Sequence, residues 1–128
     1  MRVFVYGTLR RGQGNHVVLD GARFVRTART LEGWAMLDLG AFPGVVPGDG
    51  AIVGELYEVS QHVLKRLDRL EGHPTFYHRE RVQLAGGGEA LMYVLTHPED
   101  YRNREPIAGG DWCARTLDAS GPWERERQ

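Results

Sequence analysis

Cysteine, lysine and long apolar runs are scarce in this sequence. Cys113 and Lys65 are the sole residues of their kinds. A single cysteine cannot form an internal disulfide and cannot supply a cysteine-rich metal site. The apolar N-terminal stretch ends at Gly7, too early for the core of a signal peptide or for a membrane span. We therefore expect a protein that works in a reducing cytoplasm, away from any membrane.

A strong charge of either sign is also missing. The formal net charge of the 128 residues is −1, and acidic and basic residues are interspersed along most of the chain. Such a surface would attract neither nucleic acid nor an anionic membrane, so we expect a small neutral or zwitterionic partner. A hydrophobic fraction of 41% in a chain of this length is enough for one core. The sequence predicts one domain over residues 1–117 and a polar tail over residues 118–128.

Short strands and one clear helix account for most of the chain. Alternating apolar residues predict a buried strand over residues 3–6, which Gly7 ends. Ser60 is a good N-cap, and residues 61–71 show helical spacing that Gly72 terminates. The other predicted elements are a short helix over residues 15–20, strand structure over residues 23–39 with a break or bulge at Gly33, a strand over residues 51–59, a hairpin of residues 76–84 and 89–96, and a return to the sheet through Trp112 over residues 107–117.

Residues 41–50 differ from their neighbours in composition. Pro43, Pro47 and three glycines fall within ten positions, a density that disfavours regular structure. We therefore expect a flexible or lid-like loop there, without regular structure. Because strands outnumber helices overall, the predicted class is α+β, with a strongly curved sheet or a small barrel.

Glu71 occupies an unexpected position on the predicted helix. At about 100° per residue it falls inside the apolar arc, one turn beyond Leu67. Burial and the partial negative charge of the helix C-terminus would both raise the pKa of its carboxyl towards neutrality. Such a carboxyl can accept and return protons near pH 7, as general acid–base catalysis requires. A structural alternative stays open, in which Glu71 bends to solvent or pairs with Arg79 or Arg81.

The loop after the first strand is a second candidate feature. Gly7 permits a sharp turn that directs the N–H groups of Gly7, Thr8 and Leu9 into one concavity, where they could hold a carboxylate or an oxyanion. An ordinary strand-ending turn is the alternative. Glu55 and Glu58 are reserve carboxylates, placed on opposite faces of a predicted strand.

The sequence gives little indication of a nucleophilic cysteine or of a metal site. Cys113 follows Trp112 in an apolar stretch without a nucleophile signature, so we expect a buried structural thiol. None of the five histidines forms a close helical pair with metal-ligand spacing. Arg10 and Arg11 are either an anion-binding pair or solvated loop charges. We expect no metal site.

A series of short motifs runs through residues 1–117. They are VYGTLR at 5–10, FPG at 42–44, VGELYEV at 53–59, LDRLEG at 67–72, FYHR at 76–79 and GDW at 110–112. In order and spacing they resemble the γ-glutamylcyclotransferase-like family, most closely its branch of γ-glutamylamine cyclotransferases and AIG2-like proteins.

The resemblance implies a fold, a site and a reaction. The fold is a small mixed β-barrel with flanking short helices. The site is a cavity formed by Tyr6, Gly7, Thr8 and Leu9, with Glu71 as the catalytic glutamate. In the reaction, a γ-glutamyl substrate attacks its own γ-carbonyl with its α-amine, which releases 5-oxoproline and an amine or amino acid.

Other expectations concern positioning, partners and assembly. Tyr6, Tyr77 and Arg79 are candidates for positioning the substrate, although packing or ion pairing would explain each equally well. We expect no cofactor, and a monomer or weak homodimer. The alternative from a different class is a non-catalytic module that keeps the same barrel and binds a small γ-glutamyl-like molecule.

Overall fold

A computed structural model describes residues 1–115, and the predicted polar tail lies outside the described residues. Seven strands, one α-helix and four 3-10 helices form the regular structure of this part. In chain order they are β1 (Arg2–Val5), a 3-10 helix (His16–Leu19), β2 (Arg23–Arg29), β3 (Trp34–Asp38), β4 (Pro43–Pro47), β5 (Val53–Glu58), α1 (Gln61–Glu71), β6 (Tyr77–Gln83), β7 (Glu89–Leu95) and 3-10 helices at Pro98–Tyr101, Ala108–Gly110 and Trp112–Ala114.

Five strands form one sheet with β1 at its centre. The strand order is β2-β5-β1-β7-β6, and β3 and β4 form a separate antiparallel pair. Strand β1 runs antiparallel to β5 and parallel to β7. Its central place confirms the predicted buried strand, and the loop that follows it therefore starts from the middle of the sheet.

Alternation along β1 divides the core between the two faces of the sheet. Val3 and Val5 pack in one cluster with apolar residues of α1, including Leu67. Phe4 and Tyr6 pack in a second cluster that contains residues of β3, β4 and the C-terminal segment. Successive side chains of a strand point to opposite faces, so one short strand joins both halves of the core.

Helix α1 begins and ends where the sequence predicts. The Ser60 hydroxyl oxygen accepts a hydrogen bond from the Val63 N–H at 3.2 Å. Gly72 has a φ of 66° at the C-terminal cap, a left-handed conformation that glycine adopts without a Cβ clash. These two local signals fix the two ends of the helix, and Gly72 fixes the end that carries Glu71.

Other local predictions are also confirmed. The segment around Gly33 separates β2 from β3, and the register of β2 shifts once between Phe24 and Arg26. Strands β6 and β7 form the expected hairpin across the glycine turn. The predicted short helix after Asn15 is the 3-10 helix His16–Leu19. No helix within residues 1–115 has the length and apolar character needed to span a membrane.

The prediction that residues 41–50 lack regular structure is wrong, because strand β4 occupies Pro43–Pro47. The two prolines lie at the ends of the strand, where fewer N–H donors are needed. Gly44 does not have a positive φ. A Cβ there would come 2.4 Å from Leu95 Cδ1, so this glycine permits close packing of β4 on β7.

The predicted barrel is not confirmed, because the five-stranded sheet is open. Its edge strands β2 and β6 are not paired along their length. They approach at one end, where Thr30 and Leu84 form an isolated bridge. The observed class is therefore α+β, a curved open sheet with one α-helix.

Up to residue 115, where the description of the chain ends, the C-terminal segment returns to the core without forming a strand, and the last two residues of the predicted return over 107–117 lie outside the described part. Trp112 is 2% exposed and packs in the second cluster from a short 3-10 helix. The next residue of that helix points away, so Cys113 is exposed. The prediction of a buried cysteine is wrong because Trp112 takes the core position.

Candidate active site

A cavity of about 240 Å³ opens where β1, α1, β4 and β6 meet. Its lining includes the loop after β1, the last turn of α1 and the residues at the starts of β4 and β6. Most of the predicted site residues lie together in this lining, namely Tyr6, Gly7, Thr8, Leu9, Glu71 and Tyr77. Arg79 is not among the lining residues.

Glu71 projects from the last turn of α1 into this cavity. Its side chain is half-buried, and it has no hydrogen bond or ion pair with any residue in the described part of the chain. Burial raises the pKa of its carboxyl from an ordinary value of 4.5 to about 7. The carboxyl is therefore divided between its two protonation states near neutral pH, and it faces the space in which a ligand would lie.

Arg79 and Arg81, the two possible ion-pair partners of Glu71, pair with other carboxylates. The Arg79 guanidinium donates to both oxygens of Asp68, with Nε–Oδ1 at 2.7 Å and Nη2–Oδ2 at 3.1 Å. Arg81 pairs with Glu89 at 2.7 Å on the exposed hairpin. Neither arginine therefore pairs with Glu71 and lowers its pKa.

Asp68 and Tyr93 support the helix end and were not singled out in the sequence. The Tyr93 hydroxyl donates to Asp68 Oδ1 at 2.6 Å. Burial opposes ionisation of Asp68, but the hydrogen bonds from Arg79 and Tyr93 outweigh it and lower the pKa of this carboxyl. Asp68 lies three residues before Glu71, one turn earlier on the same helix, so this spacing was the available signal.

The hydroxyls of Tyr6 and Tyr77 are both committed as donors. Tyr6 donates to the Tyr93 carbonyl and Tyr77 to the Pro43 carbonyl, each at 2.7 Å. Burial, together with the nearby Glu71 charge, raises the pKa of both phenols. Each hydroxyl has only one hydrogen, so towards a ligand in the cavity these oxygens are acceptors.

Loop residues 7–9 present unpaired backbone donors. The loop is closed by hydrogen bonds from the Arg10 N–H to the Gly7 carbonyl at 3.0 Å and from the Asn15 N–H to the Thr8 carbonyl at 2.9 Å. Within residues 1–115, the N–H groups of Gly7, Thr8 and Leu9 donate to no protein acceptor. They are available to an anionic group of a ligand.

Gly7 is required for a reason that the sequence did not indicate. Its φ is not positive. A Cβ at this position would come 2.7 Å from Cγ of Pro43. The glycine therefore allows the loop to lie against the first residue of β4, which brings β4 to the wall of the cavity.

A buried ion network lies behind the loop. Arg10 is 8% exposed, and its guanidinium contacts Glu55 at 3.5 Å and Asp111 at 2.7 Å. The Arg11 N–H and the Tyr57 hydroxyl also donate to Glu55 Oε1. Arg10 is therefore neither solvated nor free to bind an anion, and the network ties the loop to β5 and to the C-terminal segment.

Neither reserve carboxylate lines the cavity. Glu55 is enclosed in the ion network, and Glu58 pairs with the N-terminal ammonium group and with Arg2. Among the described residues, no three His, Cys, Asp or Glu side chains are grouped so that they could hold a metal ion. Among the described residues, Glu71 is the one carboxyl in the lining of the cavity.

Comparison with known proteins assigns the family. The family model described as Gamma-glutamyl cyclotransferase, AIG2-like, matches residues 3–114. The Escherichia coli (strain K12) protein named Gamma-glutamylcyclotransferase family protein YtfP is 36% identical over 115 residues, covering 90% of this chain and 98% of that protein. The Bos taurus protein named Gamma-glutamylaminecyclotransferase is 39% identical over 115 residues, covering 77% of this chain and 68% of that protein.

A solved structure gives the same result. The crystal structure of an AIG2-like protein from Mus musculus has a TM-score of 0.69 and 30% identity, and covers 94% of this chain and 90% of that one. The matches define an enzyme of the cyclotransferase type. The chain belongs to the γ-glutamyl cyclotransferase, AIG2-like family.

Proposed function

We propose that this enzyme converts a γ-glutamyl amide into 5-oxoproline and a free amine, with Glu71 as its proton-transfer group. The observation that carries the proposal is the Glu71 carboxyl, which faces the cavity, has a pKa of about 7 and has no basic partner within residues 1–115. A group with a pKa near the working pH can both accept and donate a proton in one catalytic cycle.

The reaction is an internal acyl transfer. Ionised Glu71 takes a proton from the α-ammonium group of the substrate, and the resulting amine attacks the γ-carbonyl carbon. A C–N bond forms, the five-membered ring closes, and the carbonyl oxygen becomes an oxyanion. Glu71 then returns the proton to the departing nitrogen as the original amide bond breaks and the carbonyl forms again. The ring nitrogen loses its second proton, which is taken up by the released amine or by solvent. Because nucleophile and electrophile belong to one molecule, correct folding of the substrate supplies much of the rate enhancement.

The two kinds of polar groups in the cavity suit such a substrate. The acceptor oxygens of Tyr6, Tyr77 and Glu71 match an α-ammonium group. The N–H groups of Gly7, Thr8 and Leu9 match the substrate carboxylate or the developing oxyanion. Apart from Glu71, the residues that line the cavity are uncharged. The group attached to the amide nitrogen of the substrate would therefore find few polar contacts, which favours a simple amine over an amino acid as the leaving group. The name of the bovine relative supports this choice.

Replacement of Glu71 by glutamine tests the proposal. Glutamine keeps the size of the side chain and one of its two oxygens but cannot exchange a proton at neutral pH. We expect release of 5-oxoproline from a γ-glutamyl amide to fall by roughly 10²- to 10⁴-fold, with an unchanged circular dichroism spectrum. Glu89→Gln, on the exposed hairpin, is the matched control and should keep full activity. Turnover in the Glu71→Gln variant at the wild-type rate would remove Glu71 from the mechanism.

A further inference from the structure

Three exposed apolar side chains surround the mouth of the cavity. Phe42, Leu70 and Phe76 are 37%, 41% and 36% exposed, and all three also line the cavity. They are called the apolar rim below. They come from three separate segments: the residue before β4, the last turn of α1 and the residue before β6. Exposed large apolar side chains that gather around one opening are characteristic of a ligand contact.

An aromatic wall connects the apolar rim with the interior. The rings of Phe42 and Phe76 lie 6.2 Å apart between centroids, and Phe76 packs edge-on against Tyr77 at 4.8 Å. The Tyr77 hydroxyl lies deeper, at the Pro43 carbonyl, where burial and the nearby Glu71 charge raise its pKa. The wall therefore runs from the surface to the neighbourhood of the proton-transfer group.

The cavity offers little to a charged leaving group. Among the lining residues in the described part of the chain, Glu71 is the one charged side chain, and the mechanism already uses it. An ammonium or carboxylate group at the apolar rim would lose part of its hydration without gaining a counter-ion, which is unfavourable. An aliphatic chain or an aromatic ring at the same place would be removed from water, which is favourable.

The proposed reaction fixes which part of the substrate reaches the apolar rim. The glutamyl unit lies between the loop amides and Glu71, because its carboxylate and ammonium groups need those partners. The departing nitrogen must also be close to Glu71, which protonates it. The substituent on that nitrogen is then the portion of the substrate that extends along the aromatic wall towards the opening.

We propose that the apolar rim binds the leaving group, and that the enzyme prefers γ-glutamyl amides whose departing amine carries an uncharged aliphatic or aromatic group. This inference rests on the function proposed above and adds the substrate class. Amines with a second ammonium group or a carboxylate, including free amino acids, are the disfavoured class.

A panel of synthetic substrates tests the preference. The γ-glutamyl amides of methylamine, 3-methylbutylamine, benzylamine, 1,3-diaminopropane and 4-aminobutanoate, together with the ε-linked amide of lysine, differ in the size and charge of the departing amine. Release of 5-oxoproline gives kcat/KM for each. We expect the 3-methylbutylamide and benzylamide to exceed the charged substrates by roughly 10- to 100-fold, the range expected for partial burial of a side chain of that size.

Two variants test whether the apolar rim causes the preference. Leu70→Gln and Phe42→Gln make the rim polar from two different segments. In each, the ratio of kcat/KM for the benzylamide to that for the methylamide should fall by roughly three- to tenfold. Leu31→Gln is the matched control, because Leu31 is 51% exposed and lies outside the cavity lining. It should keep the wild-type ratio.

The possible outcomes separate this inference from the proposed function. If no member of the panel yields 5-oxoproline, the proposed function fails and the inference fails with it. If the charged amides react as well as the apolar ones, or if the ratio is unchanged in both rim variants, the enzyme is a cyclotransferase but the apolar rim does not select the leaving group. Preference for the apolar amides that weakens in the rim variants supports the inference.

Discussion

The raised pKa of Glu71 predicts a measurable effect on folding stability. Below pH 4.5 the carboxyl is protonated in both the folded and the unfolded chain, and its burial adds no electrostatic cost. Between pH 4.5 and about 7 the unfolded chain loses the proton while the folded protein keeps it, so the free energy of unfolding falls as the pH rises. Above pH 7 the free energy of unfolding stays about 3 kcal/mol below its value in acid, as far as Glu71 contributes to it.

Urea denaturation of the wild type and of Glu71→Gln at several pH values measures this loss. The variant lacks the titrating group, so its free energy of unfolding relative to the wild type should rise by about 2–3 kcal/mol between pH 5 and pH 8. Any fixed cost of burying the glutamine amide is the same at both pH values and cancels in this comparison. The measurement therefore reports the titration of Glu71 and not the change in packing.

Glu89→Gln is the control for the denaturation series. A hydrogen bond from Arg81 lowers the pKa of Glu89, so its contribution is present above the ordinary carboxyl pKa and is lost only as the pH falls below that range. Its stability relative to the wild type should stay nearly constant from pH 5 to pH 8. A constant difference for Glu71→Gln over the same range would refute the argument that burial raises the pKa of Glu71.

Two further substitutions test the contacts around the site. Asp68→Asn removes a negative charge near Glu71 and leaves the Arg79 guanidinium without its carboxylate, so the acidic limb of the pH profile of kcat/KM should move to lower pH; an unmoved limb would contradict this coupling. Arg10→Met leaves Glu55 buried without its counter-ion and should lower the free energy of unfolding by about 3–5 kcal/mol in urea denaturation. The exposed Arg23→Met should change it little, and equal losses in the two variants would contradict a role for the buried network.

The features that the sequence predicted correctly depend on neighbouring residues. Ser60, the apolar spacing of residues 61–71 and Gly72 lie in one continuous segment, and each acts over a few residues. They determine the bounds of α1 and the face on which Glu71 lies. The hairpin of β6 and β7 is local in the same sense. The sequence alone therefore predicts that Glu71 lies towards the protein interior.

The features that the sequence missed depend on residues far apart in the chain. Strand β4 forms because Val45 and Val46 complete the core beside β3, although the prolines and glycines around them disfavour a strand locally. Arg10 meets Asp111 across 101 positions. No spacing rule connects such residues, so Arg10 was expected to be either solvated or anion-binding. The sequence predicts Arg79 as a candidate substrate contact, and no sequence signal identifies Asp68 as its partner.

The end of α1 carries two carboxyls in different environments: Asp68 is held by hydrogen bonds, and Glu71 faces the cavity. The two carboxyls lie one turn apart, yet the pKa of Asp68 is lowered and that of Glu71 is raised. The difference arises because burial raises the pKa of Glu71, whereas Arg79 and Tyr93 both donate to Asp68, so that the Arg79 guanidinium pairs with Asp68 and not with Glu71. If Arg79 paired with Glu71 instead, that carboxylate would stay ionised and could not protonate a leaving nitrogen at neutral pH. The proposed proton-transfer function thus depends on a neighbouring acid, Asp68, that binds the Arg79 guanidinium.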